Sequence, residues 1–214
     1  MPITEILSHN ARMYTDEISL IEREPAISKR REITWKEFES QSNKFANALI
    51  EYGIRRKDKV IILLMNCLEW LPIYFGVLKT GAMAVPLNFR FTAEEIRKCA
   101  ETAEAKIFIY GPEFIERISK IEDSLSCFIE KFIFVGENCP DAAESYSAIL
   151  NEYPADDPGV AICDCEEAAL YFSSGTTGTP KPIILTHANL VSACIIENKH
   201  HFQKHEDNFL CIPP

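Results

Sequence analysis

The chain has 214 residues, 47% hydrophobic and 25% charged, which suits a sizeable buried core and excludes a disordered or low-complexity protein. Its formal net charge of −10 and pI near 5.1 argue against nucleic acid or an anionic membrane as partner, since both would repel it. The first residues, Met1-Pro-Ile-Thr-Glu-Ile, lack a basic region followed by a long apolar core, and no run of roughly 18 apolar residues exists. A cytoplasmic protein with no signal peptide and no transmembrane segment is expected.

In chain order, Ile3–Tyr14 reads as a helix in an arm over residues 1–24. Pro25-Ala-Ile-Ser and Arg31-Glu-Ile-Thr form a hairpin candidate. Thr34-Trp-Lys-Glu37 is a capping box, with Phe38, Phe45, Leu49 and Tyr52 on one helical face and Gly53 as the stop. Val60–Met65 is continuously apolar, as a strand covered on both faces would be. Asn66 and Glu69 read as the cap and N3 position of a buried helix over Leu68–Leu78, within which Pro72 is a tension. Ala84–Leu87 is a short strand. Thr92-Ala-Glu-Glu95 opens a helix with Ile96, Cys99, Ala100 and Ala103 inward. Lys106–Tyr110 is a strand, Glu113–Glu122 a helix, Phe132–Val135 a strand and Ser145–Glu152 a short helix. Leu170–Phe172 and Ile183–Leu185 are strand-like. Thr186 caps a helix over His187–His201 with Leu190, Val191 and Cys194 inward, and Phe209–Ile212 is a last strand. Strand and helix alternate with short links. This implies an α/β fold: a doubly wound, mainly parallel sheet with helices on both faces. The expected organisation is a first α/β unit over 1–137, a Pro- and Asp-rich connecting segment over 138–166, and the start of a second α/β unit over 167–214.

The most informative stretch lies between the last two strand-like runs. Ser173, Ser174, Gly175, Thr176, Thr177, Gly178 and Thr179 are followed by Pro180 and Lys181. Gly175 and Gly178 permit positive φ and close approach of a ligand to the main chain. Hydroxyls and free N–H groups can converge there on an anion, and Lys181 adds a positive point charge. Such a loop suits phosphate oxygens. It is not the Walker pattern, because Pro180 precedes the lysine and Pro182 follows it.

Tyr-Phe-Ser-Ser-Gly-Thr-Thr-Gly-Thr-Pro-Lys, Tyr171 to Lys181, closely resembles the phosphate loop of the adenylate-forming (AMP-binding) superfamily. That superfamily includes acyl-CoA synthetases such as fatty-acid–CoA ligases, luciferases and peptide-synthetase adenylation domains. Phe75-Gly-Val-Leu-Lys-Thr-Gly-Ala-Met-Ala-Val-Pro-Leu-Asn-Phe-Arg90 is similar to a core helix and strand of acyl-CoA synthetases, and the likeness runs from Trp35 to Pro214. The resemblance implies a two-step reaction: a carboxylic acid and ATP give acyl-AMP and pyrophosphate, then the thiol of coenzyme A displaces AMP. It implies ATP, Mg2+ and coenzyme A as cofactors. It assigns Thr176, Thr177 and the N–H groups of Gly175 and Gly178 to phosphate binding and Lys181 to charge, with Ser173, Ser174 and Thr179 as further members of the loop. Pro182 departs from the family's usual Gly. The family's magnesium carboxylate, ribose aspartate, hinge and adenylation lysine have no counterpart in these residues. The chain is therefore expected to be an N-terminal fragment that is inactive alone, with a mobile loop and with self-association through apolar surface. A stand-alone phosphate-binding or interaction module and a structural domain with an idle loop stay open as alternatives.

Other constellations are weaker. The eight cysteines form no C-x-x-C and read as free thiols, mostly small core residues. Cys163-x-Cys165 lacks metal-site spacing and reads as structural. His200, His201 and His205 read as a solvated polar helix end, and no metal site is expected. His187 fits a capping role as well as a phosphate contact.

Overall fold

The computed structural model describes residues 1–173 and 180–210. Helix α1 (Ile3–Met13) leads into strands β1 (Ile18–Glu24) and β2 (Lys29–Thr34), an antiparallel pair. The hairpin is real but begins earlier than its sequence suggests. Pro25–Ile27 is the 3-10 turn between the strands, and Ser28 closes it in the left-handed region. Helix α2 (Trp35–Glu51) follows, its capping box complete: the Glu37 amide donates to Thr34 Oγ1 at 3.2 Å and the Thr34 amide to Glu37 Oε2 at 2.7 Å.

Strand β3 (Lys59–Leu63) is followed by α3 (Trp70–Lys79), β4 (Met83–Pro86), α4 (Ala93–Ala103) and β5 (Ile107–Tyr110). Two expectations change here. The helix after β3 starts at Trp70, so Asn66 is too far upstream to cap it, and Glu69 occupies the N-cap without a side-chain cap bond. The late start also removes the Pro72 tension, because Pro72 falls in the first turn, where its missing N–H has no intrahelical partner to lose. The helix expected over Glu113–Glu122 is instead a 3-10 turn at Pro112–Phe114 and two short helices, α5 (Ile115–Ser119) and α6 (Glu122–Leu125). Strand β6 (Lys131–Phe134), β7 (Glu144–Ser145), α7 (Tyr146–Glu152), β8 (Glu167–Ser173), β9 (Lys181–Thr186) and α8 (His187–His201) complete the order. Residues 207–210 are not a strand, which removes the described half of the strand expected at Phe209–Ile212; Cys211 and Ile212 lie outside the described residues.

The main sheet has seven strands in the order β7-β6-β5-β3-β4-β8-β9. All its pairings are parallel except β8 with β9. Period-two alternation sends successive residues to opposite faces. Val60, Ile62, Ile107 and Ile109 pack with Phe45, Leu49, Ile73 and Val77 of α2 and α3. Ile61, Leu63, Phe108 and Tyr110 pack on the other face with Ile96, Cys99, Ile118 and Leu125 of α4, α5 and α6. The sheet is therefore mixed, mainly parallel and covered on both faces, as expected. The crossover from β3 to β4 and that from β4 back to β5 run in opposite directions along the sheet, and right-handed connections then put α3 and α4 on opposite faces. No helix among the described residues is long and apolar enough to cross a membrane.

Candidate functional site

The parallel strands β3, β4, β5, β6 and β8 all end at one edge of the sheet, where open α/β folds bind ligands. Strand β8 enters this edge beside β4 through the pair Ala84 and Ala169. The chain then reverses, and β9 returns antiparallel with Ser173 opposite Lys181 and Phe172 opposite Pro182. Ser173 Oγ donates to the Lys181 carbonyl at 3.4 Å, closing the mouth of the hairpin. Lys181 is exposed and forms no ion pair among the described residues. Strand β9 is the sheet edge, the place where a proline without an N–H is tolerated, so Pro182 fits there. Ser174, Gly175, Thr176, Thr177, Gly178 and Thr179 lie outside the described residues, and with them the expectation about loop mobility. The structure brings together Ser173 and Lys181 from the expected site.

The hairpin is tied to the core and to α8. Tyr171 Oη lies 3.2 Å from Tyr74 Oη of α3, and burial, followed by this contact, pushes the Tyr74 phenol well above its ordinary range. Thr186 caps α8 by accepting from the Asn189 amide at 3.2 Å, with Asn189 Oδ1 accepting in return from the Thr186 amide at 3.0 Å. His187 is fully buried, and neither ring nitrogen has a hydrogen-bond partner among the described residues. Burial holds its pKa below 6.5 against the opposing pull of Glu166 and Asp164. Its amide donates to the Glu166 carbonyl at 3.0 Å, before β8, so its side chain belongs to the end of the hairpin away from the loop. A phosphate contact by His187 finds no support in that position.

Several charged clusters had no sequence motif. The Arg31 guanidinium bonds Glu69 Oε1 at 2.6 Å and Oε2 at 3.2 Å and also pairs with Glu22. Burial pushes the Glu69 carboxyl up, but the hydrogen bonds from Arg31 outweigh this and hold it low. Lys79, 4% exposed, donates to Glu39 at 2.8 Å and to Ser8 at 3.3 Å, with Asp157 at 3.8 Å. A lysine in the otherwise apolar helix Trp70–Lys79 is the one signal that could have announced a buried partner. A cleft of about 260 Å³ beside it, between α1 and residues 157–162, is away from the hairpin. The ammonium facing that cleft is already neutralised, so the cleft offers little to an anion.

Cysteines and histidines also differ from expectation. Among the described cysteines only Cys99 is buried, while Cys127, Cys163, Cys165 and Cys194 are exposed. Cys194 therefore does not face inward, and Leu190 and Val191 are half-buried. His201 sits 3.0 Å from Glu197 and His205 2.9 Å from Glu17, so each is an exposed carboxylate partner. The one cluster of three ligating side chains among the described residues is Cys163, Asp164 and Cys165, before β8 and remote from the loop. Sulfur ligands do not suit magnesium. The cluster of ligating side chains found among the described residues therefore does not suit magnesium.

A mainly parallel α/β sheet covered by helices on both faces, with a hairpin that sets Ser173 against an exposed lysine at its edge, defines the class of protein as an open α/β fold. The chain belongs to the AMP-binding enzyme family, whose model matches residues 7–214. It is similar to 4-coumarate--CoA ligase 2 of Solanum tuberosum, 33% identical over 187 residues, 85% of this chain and 33% of that protein. It is also similar to the crotonobetaine/carnitine--CoA ligase of Citrobacter koseri, 28% identical over 189 residues, 86% of this chain and 36% of that protein. The solved anthranilate CoA ligase AuaEII, in complex with anthranoyl-AMP, superposes with a TM-score of 0.80 and 27% identity over 87% of this chain and 35% of that one. The chain spans about one third of the length of the curated relatives it matches.

Proposed function

We propose that this chain is the N-terminal, phosphate-loop-bearing part of an ATP-dependent, AMP-forming acid–CoA ligase. In the complete reaction a carboxylate oxygen attacks the α-phosphorus of ATP, the bond to pyrophosphate breaks and acyl-AMP forms. The sulfur of coenzyme A then takes the acyl group and AMP leaves. The observation that carries this reading is the hairpin mouth, with Ser173 set against an exposed Lys181, which has no ion pair among the described residues, at the carboxyl edge of the sheet. The role assigned to Lys181, to the hydroxyls of Thr176 and Thr177 and to the N–H groups of Gly175 and Gly178 is to offset charge on the departing pyrophosphate. Ser173, Ser174 and Thr179 contribute less. Relatives named for coumarate, crotonobetaine or carnitine, and anthranilate support an organic acid as substrate.

On this reading residues 1–137 form one unit, 138–166 a connector and 167–214 the start of a second. The magnesium, ribose and coenzyme A contacts that the resemblance implies are assigned to no residue of this chain, and the 214 residues alone are expected not to turn over. The test is ATP–pyrophosphate exchange with short, medium, long and aromatic acids. In the complete enzyme, Lys181→Ala lowers exchange about ten- to hundredfold, the loss of one charged hydrogen bond of about 1.5–3 kcal/mol. Unchanged exchange removes Lys181 from the site. Exchange above background by the 214-residue chain alone defeats the reading of an incomplete enzyme.

A further inference from the structure

Residues 163–166 form a tight turn ahead of β8, closed by the Glu166 amide donating to the Cys163 carbonyl at 3.1 Å. The Cys163 amide donates to Glu166 Oε1 at 2.8 Å, and the Glu166 carboxylate also pairs with Arg56. From the same turn, the Asp164 carbonyl accepts the Ala188 amide of α8 at 2.8 Å. The turn is thus held chiefly by its backbone and by Glu166, with Cys163 Sγ adding long contacts to Asp164 Oδ1 at 3.6 Å and from the Cys165 amide at 3.4 Å. Both cysteines are exposed, and their sulfurs lie 2.6 Å apart.

That separation discriminates between chemistries. Packed carbon atoms that are not bonded sit about 3.5–4.0 Å apart, and sulfur is no smaller than carbon. Two thiolates on one tetrahedral zinc, at Zn–S about 2.3 Å, would sit about 3.8 Å apart. A sulfur–sulfur bond is about 2.05 Å. The two sulfurs are therefore neighbours, within reach of a bond without rearrangement of the turn. The carboxylate that would complete a metal site, Asp164, already accepts the Met1 amino group at 3.0 Å.

We propose that Cys163 and Cys165 form a dithiol modification site that exchanges with a low-molecular-weight disulfide to give a reversible disulfide across Asp164. Cys163 is the first nucleophile. Its sulfur accepts the Cys165 amide at 3.4 Å, and the Cys165 thiol keeps its proton more strongly than usual, chiefly through its hydrogen bond to Cys163. The Cys163 thiolate attacks one sulfur of the small disulfide, forms a mixed disulfide and releases one thiolate, which takes up the proton that Cys163 lost. The Cys165 thiolate then attacks the Cys163 sulfur and expels the second small thiolate, which takes up the proton that Cys165 lost. Two protein thiols are oxidised, one small disulfide is reduced to two thiols, and no other oxidant is needed.

The test uses the whole folded chain with oxidised glutathione, followed by alkylation and peptide mass spectrometry. The peptide containing Cys163 and Cys165 is expected to lose two hydrogens, retain no glutathione and be restored by dithiothreitol. Cys127 and Cys194, single exposed thiols, are internal controls that accumulate only the mixed disulfide. Cys165→Ser is expected to trap glutathione on Cys163, and Cys163→Ser to form its adduct more slowly. A stable adduct on the wild-type pair, or two alkylatable sulfurs there after Cys127 has reacted, overturns the proposal. Equal adduct rates in the two variants overturn the assignment of Cys163 as first nucleophile. Circular dichroism of both variants confirms that each is folded.

Discussion

Val60-Ile-Ile in β3 and Ile183-Ile in β9 are the same kind of sequence, short β-branched runs, yet they end in opposite environments. Val60, Ile61 and Ile62 are buried at the middle of the sheet, while Ile183 and Ile184 are each 48% exposed at its edge. Helix α8 repeats the contrast, with Ile195 at 60% and Ile196 at 54% exposure against the buried Ile73 and Val77 of α3. Burial here follows rank in the strand order. A residue run says how readily a strand forms, and its neighbours say whether it is covered. The core of the chain is complete around β3, and the β8–β9 hairpin stands at its open margin.

The contrast breaks most visibly at the core end. Phe45 is fully buried in α2 against α3 and touches Tyr146 of α7, ring centroids 5.3 Å apart. Phe45→Ala is expected to cost about 3–5 kcal/mol in urea unfolding, from lost burial plus the cavity left behind. A cost under about 1 kcal/mol would show that α2 is not anchored there.

Gly76→Ala sharpens the same point from the other side of that contact. A Cβ at Gly76 would lie 2.8 Å from Phe45 Cδ1 and 3.1 Å from the Ser42 carbonyl oxygen. Overpacking of this kind is expected to cost about 1–3 kcal/mol despite the better helix propensity of alanine. A stabilised variant would mean that α2 and α3 can part at no cost.

His187 tests the seam between the two regions. Its folded pKa is depressed by burial, so the unfolded chain binds the proton more readily. Stability is fully present above the unfolded value of 6.5 and falls as pH drops below it toward the folded pKa. His187→Gln should flatten that part of the stability–pH curve. A wild-type curve with no slope in that window, measured by urea midpoints, would show that the ring is not desolvated.

The smallest effect on stability is expected at the margin. Ile184→Ser should change the unfolding free energy by no more than about 0.5 kcal/mol, as a surface substitution does. We infer that the self-association expected from the sequence would run through the exposed isoleucines of β9 and α8, so this substitution should reduce it, read by light scattering. Unaltered association would move the interface elsewhere.

Local signals were legible at two of the helix starts read as capping boxes and failed at Asn66 and Glu69. Thr34 with Glu37 and Thr92 with Glu95 form the capping boxes their spacing announces, and Ile96, Cys99, Ala100 and Ala103 are the buried stripe of α4. Tyr171 to Lys181 announces the family the chain belongs to, and the hairpin puts Ser173 against Lys181; the phosphate role of the loop is our proposal. Nothing local announces that β8 would join β4, or that Lys79 would find Glu39 forty positions away.

The sequence by itself determined the α/β alternation, the caps at Thr34, Thr92 and Thr186 and the family, because each rests on contacts within a few residues or on a contiguous motif. Tertiary structure alone decided where α3 begins, which isoleucines are covered, that Cys194 faces outward and that Cys163 meets Cys165. Those outcomes depend on strand order and on the folded path of a turn, which bring distant groups together or leave similar ones apart without changing a single local preference.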